Sequence, residues 1–328
     1  MTDPLVSVLV PCYNAEAYVG AALESVMALA YSLIEVIVVD DGSTDGSAAV
    51  LEEFCARGVT VIRQDNRGAA AARNRALSRS SGQLVLWLDA DDWISPGHIA
   101  ALQDRLSGDD QAIAFSGWGR FTGDPAAIRC ETRPSQSDLA GTDWLSREWA
   151  DGMLMMQSGM FLIPRSRVDA VGGWDESLGL TDDFEFFARL IAGTPAMRFA
   201  PGACLHYRSG VAGSLSGQTT RRAAESACRS LLLGTGHLLA AKNSARTRST
   251  CARMLQNFEF EFYPAYADLR RAVRRRAAEL GRADAEPSGP PAFHALRRWI
   301  GWKAARRVQH LAERLGLTRA GRARAAHG

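Results

Sequence analysis

The 328-residue chain predicts an α/β fold, a mostly parallel sheet flanked by helices with a helical C-terminal extension. Three observations carry this expectation. Short, mainly apolar runs (Leu5–Val10, Ile34–Val39, Val85–Leu88) suit strands covered on both faces. Segments of helical periodicity separate them, giving four βα units in about ninety residues and hence parallel pairing with right-handed crossovers. From about Gln218 onward the pattern is helical almost throughout.

Taken in order, the first strand ends at Pro11-Cys12-Tyr13-Asn14, and a helix follows over about Glu16–Leu29. The second strand ends at Asp40-Asp41-Gly42, where glycine permits a tight turn and Ser43, Thr44 or Asp45 can cap the helix running to Cys55. Val59–Arg63 is the third strand, and Asn66-Arg67-Gly68 leads into an alanine-rich helix, Ala69–Ser80. The fourth strand, Val85–Leu88, stops at Asp89, Asp91 and Asp92. Beyond a helix at Pro96–Leu106 the pattern predicts strands at Gln111–Phe121 and Ala127–Glu131, a helix at Gly141–Asp151 and a strand at Ser158–Ile163. A short helix to Val171, a helix over Asp182–Ala192 and two short strands, Met197–Ala200 and Cys204–Tyr207, complete this part. Helices are expected at Thr220–Ala241, Ala245–Tyr263, Ala265–Leu280 and from Phe293. The predicted domains are 1–217 (nucleotide half about 1–95, acceptor half about 96–217), a helical extension 218–281, a Pro/Gly/Ser linker 282–292, and a basic amphipathic helix and tail, 293–328.

Composition narrows the class. The net charge of +2 hides a split: residues 265–328 hold 15 Arg/Lys against 5 Asp/Glu, and the remainder is acidic. The six cysteines are scattered without a CxxC pair, which argues against zinc or disulfide frameworks and for a reducing cytoplasm. The N-terminus reads as a strand, not a signal peptide, and no window reaches the ~18 apolar residues that would span a bilayer. A cytoplasmic protein, peripheral at most on the inner face of the plasma membrane, is expected.

In a parallel sheet the strand ends share one edge, so Tyr13-Asn14, Asp40-Asp41 and Asp89–Asp92 should converge on one crevice. Like charges gathered there call for a cation or polar ligand. Asp40 and Asp89 can accept from ribose hydroxyls or a base, Tyr13 can stack, and Arg73 can face phosphates. Taken singly, Asp40–Asp45 is also a capped turn, and Asp183 with Thr181 a plain helix cap.

PCYNAEAYV, VIVVDDGSTDGS, NRGAAAARNRAL, VLWLDADDW and GGWDESLGLTDDFEFFARL together resemble a family-2 glycosyltransferase of GT-A fold, over about residues 5–210. The resemblance implies inverting transfer of a sugar from a nucleotide-diphospho-sugar, a UDP-sugar favoured, to a glycan or lipid-linked hydroxyl acceptor, with Mn²⁺ or Mg²⁺. It assigns Pro11, Tyr13, Asn14, Glu16, Asp40, Asp41, Arg73, Asp89 and Ala90 to the donor. Asp91 becomes the main metal ligand, with Asp89 and His206 as further candidates. Asp183 becomes the base, with Asp182 standing where the family has Glu. The dipole of its helix should keep Asp183 ionised. Arg165 and Trp174 are candidates for the acceptor side, Trp174 equally for the core.

Rival readings lack their parts. A phosphotransfer domain needs a lysine in the α/β body, where there is none; a dinucleotide oxidoreductase needs GxGxxG where PCYN stands. A nucleotidylyltransferase needs a glycine-rich basic loop after the first strand. A degenerate, scaffold-like member of the same fold is the remaining alternative, and intact Asp89, Asp91 and Asp183 argue against it. For the basic C-terminal helix, packing and membrane contact are both open, while nucleic acid is not expected because no binding motif accompanies the charge.

Overall fold

The computed structural model describes residues 3–122, 128, 130–152, 156–210, 220–281, 283, 285–315 and 317. Two compact units divide the chain, 1–247 and 248–328.

In the first unit, β1 (Val6–Cys12), β2 (Ile34–Asp40), β3 (Thr60–Arg63) and β4 (Leu84–Trp87) pair in parallel in the order β3-β2-β1-β4. Crossovers run through α1 (Val19–Met27), α2 (Ser47–Cys55) and α3 (Ala69–Arg79). Register sets Cys12 beside Asp40 and Leu9 beside Trp87, so the polar ends of β1, β2 and β4 do share one edge.

The sheet then changes character. β5 (Trp93–Ile94), β6 (Ala112–Phe121), β7 (Phe161–Pro164) and β8 (Ala196–Arg208) extend it in the order β4-β7-β6-β8-β5, with antiparallel pairings except between β6 and β8. Helices α4 (His98–Leu106), α5 (Gly141–Glu148), α6 (Arg165–Val171) and α7 (Asp182–Ala192) lie among these strands in sequence, and α8 (Arg221–Ala241) follows. An aromatic core fills this half: Trp87, Trp118, Trp144, Trp149, Phe115 and Phe161 are fully buried.

Several expectations change. The two short strands near 197–207 are one bulged strand, β8, because its register against β6 shifts at Ser116/Gly117 instead of breaking. Trp93–Ile94, where no strand was expected, is a strand that exists only through pairing with β8. No strand forms over the described part of 127–131; Ala127 lies outside the described residues, as do 211–219 of the loop beyond His206 and the tail from 318.

A disulfide joins Cys130 to Cys204, with Cα atoms 6.1 Å apart, where sequence spacing argued against one. The fold supplies the proximity: Gly117 pairs with Cys204, and Glu131 N–H donates to the Trp118 carbonyl at 2.7 Å. The argument for a reducing compartment therefore loses its basis. No helix among the described residues is long and apolar enough to cross a membrane.

The second unit holds most of α9 (Ala245–Glu261), with α10 (Ala267–Glu279) and α11 (Pro291–Arg314). Trp302 packs edge-on against Phe260 and Tyr263, with ring centroids 5.0 and 5.1 Å away. Gly301 takes φ 74°, breaking α11 into two segments.

Candidate active site

The site lies where the parallel strands end. A cavity of about 520 Å³ opens there, lined by Asp40, Gly42, Ser43, Ala48, Arg63, Gln64 and Asp65. Asp40 is buried and held by Ser43 N–H at 3.0 Å. Gly42, at φ 76°, passes so close to the next loop that a Cβ would meet the backbone nitrogen of Asn66 at 2.9 Å. Tyr13, half exposed, and Pro11 stand beside it on the end of β1.

Three residues assigned to the donor are occupied in holding loops. The Asn14 carboxamide accepts from Thr44 N–H at 2.7 Å, and the Glu16 carboxylate from Gly46 N–H at 3.0 Å, so both lace the β1–α1 loop to the β2–α2 turn. Asp41 accepts from Gln64 Nε2, Arg67 N–H and Gly68 N–H at 2.7–2.9 Å, which pins the entry to α3.

Arg73 is the hub. Carried in on α3 and almost fully buried, it donates to Asp89 at 2.8 Å and to Asp182 at 2.7 Å, so one guanidinium spans both carboxylate groups. Its charge lies over the Trp174 ring, 4.4 Å from the centroid. Trp174 in turn stacks on Phe186 at 4.3 Å and meets Trp87 edge-on at 5.5 Å. Trp174 is thus core and the floor beneath Arg73. Arg165 takes no part: it binds the Gly82 carbonyl and Ser80, near the start of β4, at the sheet edge opposite the cavity.

Asp89–Asp92 form a turn closed by Asp92 N–H to the Asp89 carbonyl at 3.0 Å, with Ala90 buried inside it. Burial, then the neighbouring Asp89, push Asp91 up to about 6. Asp92 is buried; one oxygen accepts from Arg208 N–H at 2.9 Å, the other has no partner, and burial holds its pKa high. Its carboxylate reaches across to β8. His206 sits opposite Trp93 in the β5–β8 pairing, with rings 4.7 Å apart.

Arg208 was missed from sequence. Its Nε donates to the Asp91 carbonyl at 2.9 Å, and its guanidinium lies against Phe121 and Tyr18, 4.4 and 5.0 Å from the centroids. Nothing local marks it, because only the pairing of β5 with β8 brings it to the acidic turn.

Asp182 and Asp183 open α7. Thr181 precedes them at φ 56° and makes no side-chain cap, so Thr181 has no part in the expected cap. One Asp183 oxygen accepts from Phe184 N–H at 2.8 Å. Burial first, then Asp182, push Asp183 up to about 7, with Arg73 opposing. The helix dipole therefore does not keep it ionised as expected; desolvation and a like charge outweigh a dipole worth at most about 2 kcal/mol. Helix α8 fixes the approach: Ser226 Oγ accepts from Gly179 and Leu180 N–H, both at 2.9 Å.

Among the described residues no three His, Cys, Asp or Glu side chains stand as a ready metal cage. A hard cation on a phosphorylated ligand needs only one or two carboxylates. Asp91, whose pKa burial and then Asp89 raise, and the unpartnered Asp92 oxygen fit that demand.

Residues 7–169 match the model described as Glycosyl transferase family 2. Glycosyltransferase GlyA of Streptococcus pneumoniae serotype 4 is 36% identical over 123 residues, 37% of this chain and 18% of that protein. Uncharacterized glycosyltransferase YibD of Escherichia coli K12 is 29% identical over 194 residues, 56% of each. The chain thus spans little more than half of YibD and under a fifth of GlyA. S. aureus TarS 1–349, solved in complex with UDP-GlcNAc, superposes with a TM-score of 0.68 at 19% identity, over 95% of this chain and 92% of that one.

Proposed function

Residues 7–169 belong to glycosyl transferase family 2, and from that premise we propose that the chain is an inverting glycosyltransferase whose base is Asp183. The observation that carries this reading is the division of labour imposed by Arg73. It engages Asp89 and Asp182, and it leaves Asp183 beside them with a pKa near neutrality.

The donor is a nucleotide-diphospho-sugar, with its nucleoside in the cavity at Asp40 and its diphosphate at Asp91 and Arg208. UDP is the favoured nucleotide; the fold neighbour TarS was solved with UDP-GlcNAc. The acceptor is a hydroxyl of a glycan or lipid-linked glycan. Mn²⁺ or Mg²⁺, when bound through Asp91, supplies the positive charge that stabilises the leaving diphosphate. Asp183 takes the proton of the acceptor hydroxyl as the acceptor's oxygen attacks the anomeric carbon from the face opposite the diphosphate. The C–O bond to phosphate breaks, the nucleoside diphosphate departs with that electron pair, and the configuration inverts. A carboxylate with a pKa near 7 suits this role, since a base poised near the working pH combines availability with driving force.

Calorimetry with UDP-sugars and Mn²⁺ tests the donor half. Asp91→Ala should lose the metal-dependent part of donor affinity, and unchanged affinity would remove Asp91 from the metal.

A further inference from the structure

The apolar side chains of α11 pack only in part. Phe293 and Ala305 are buried within the second unit, and Arg306 lies over Phe293, 4.5 Å from its centroid. Most of the other large apolar side chains of this helix and its end face solvent: Trp299 is 88% exposed, Leu311 58% and Leu315 62%, with Leu296, Ile300 and Val308 also outside. Spacings of three and four residues put Leu296, Trp299 and Ile300 on one face of the segment before the Gly301 break, and Val308, Leu311 and Leu315 on one face of the segment after it. An apolar surface of this kind left in water marks an interaction site.

Charge identifies the occupant. From Pro291 to Leu317 the chain carries six Arg/Lys against a single Glu, and three of the cations, Arg298, Lys303 and Arg307, are exposed among the apolar residues. Arginine interleaved with tryptophan and leucine on one helix suits a surface that is apolar below and anionic above. A second copy of the chain suits it less, because a two-fold pairing of this face would set cation against cation.

We propose that the exposed face of α11 lies in the headgroup layer of a membrane containing anionic lipid, with Trp299, Ile300 and Leu311 below the phosphates. This surface is independent of the donor site, so it stands or falls separately from the transfer reaction.

Cosedimentation of the full chain with phosphatidylcholine vesicles, with and without phosphatidylglycerol, tests it. Binding should require phosphatidylglycerol and weaken as salt rises. Trp299→Glu with Leu311→Glu should lower the partition constant at least about tenfold, and Arg298→Glu with Arg307→Glu at least about thirtyfold. The unfolding midpoint should hold in both, since these side chains are exposed. Absence of vesicle binding, equal binding to both vesicle types, or variants that bind like the parent would overturn the proposal. A concentration-dependent dimer lost in Trp299→Glu/Leu311→Glu, without vesicle binding, would assign the face to a second copy.

Discussion

Asp183 and Arg73 show how single residues set the chemistry. Burial and Asp182 raise the Asp183 pKa to about 7, and a base works only when deprotonated. The rate therefore rises with pH: kcat/KM should climb through about pH 7, lying about tenfold below its plateau at pH 6. Asp182→Asn removes the second cause of the shift and should move that rise to lower pH; a profile that stays put would contradict the coupling. Arg73→Met leaves Asp89 and Asp182 without their cation. Stranding a buried charge costs about 3–5 kcal/mol, and the lower figure applies because the Asp89 side chain is 29% exposed. Urea unfolding should register that loss, and a change below about 1 kcal/mol would show that the bridge is idle. The carboxylates were legible in sequence as clusters at strand ends. Their pairing was not, because Arg73 and Asp182 lie 109 positions apart and nothing local couples them.

At the scale of elements, legibility followed the range of the interactions. The β1–β4 half could be read because each strand is an apolar run that a helix returns to its neighbour. β5 could not, since two residues carry no periodicity and its strand character comes from β8. Arg208, missed for the same reason, reaches the acidic turn only through that pairing. Helix α8 lies outside the matched family region, yet it shapes the site by gripping the loop before α7. The two helices meet closely at Gly234, where a Cβ would lie 2.5 Å from the fully buried Phe184 ring. Gly234→Ala should cost about 1–3 kcal/mol by overpacking and lower kcat more than donor affinity, because it displaces Asp183 and leaves the cavity at Asp40 alone. Equal losses in both would show that α8 does not position the base specifically.

For the whole molecule, one sheet edge sets the proposed donor residues beside the proposed base. The parallel strands carry the cavity and the acidic turn; α7, which follows the mixed strands β6 and β7, carries the proposed base, and Arg73 ties the two together. The basic C-terminal region was legible as a charge split, whereas the direction its apolar stripe faces was not: periodicity defines a face without saying what covers it. The disulfide was hidden likewise, because 74 residues separate its cysteines until β6 and β8 align. The central claim is that donor binding and proton removal are separate tasks, with Asp183 performing the second. Single-turnover transfer by Asp183→Asn, run beside calorimetry of the same variant with donor and Mn²⁺, tests it most directly. The account predicts donor affinity within about threefold of the parent and a transfer rate lower by about 10²–10⁴-fold; transfer at near-parent rate would contradict it.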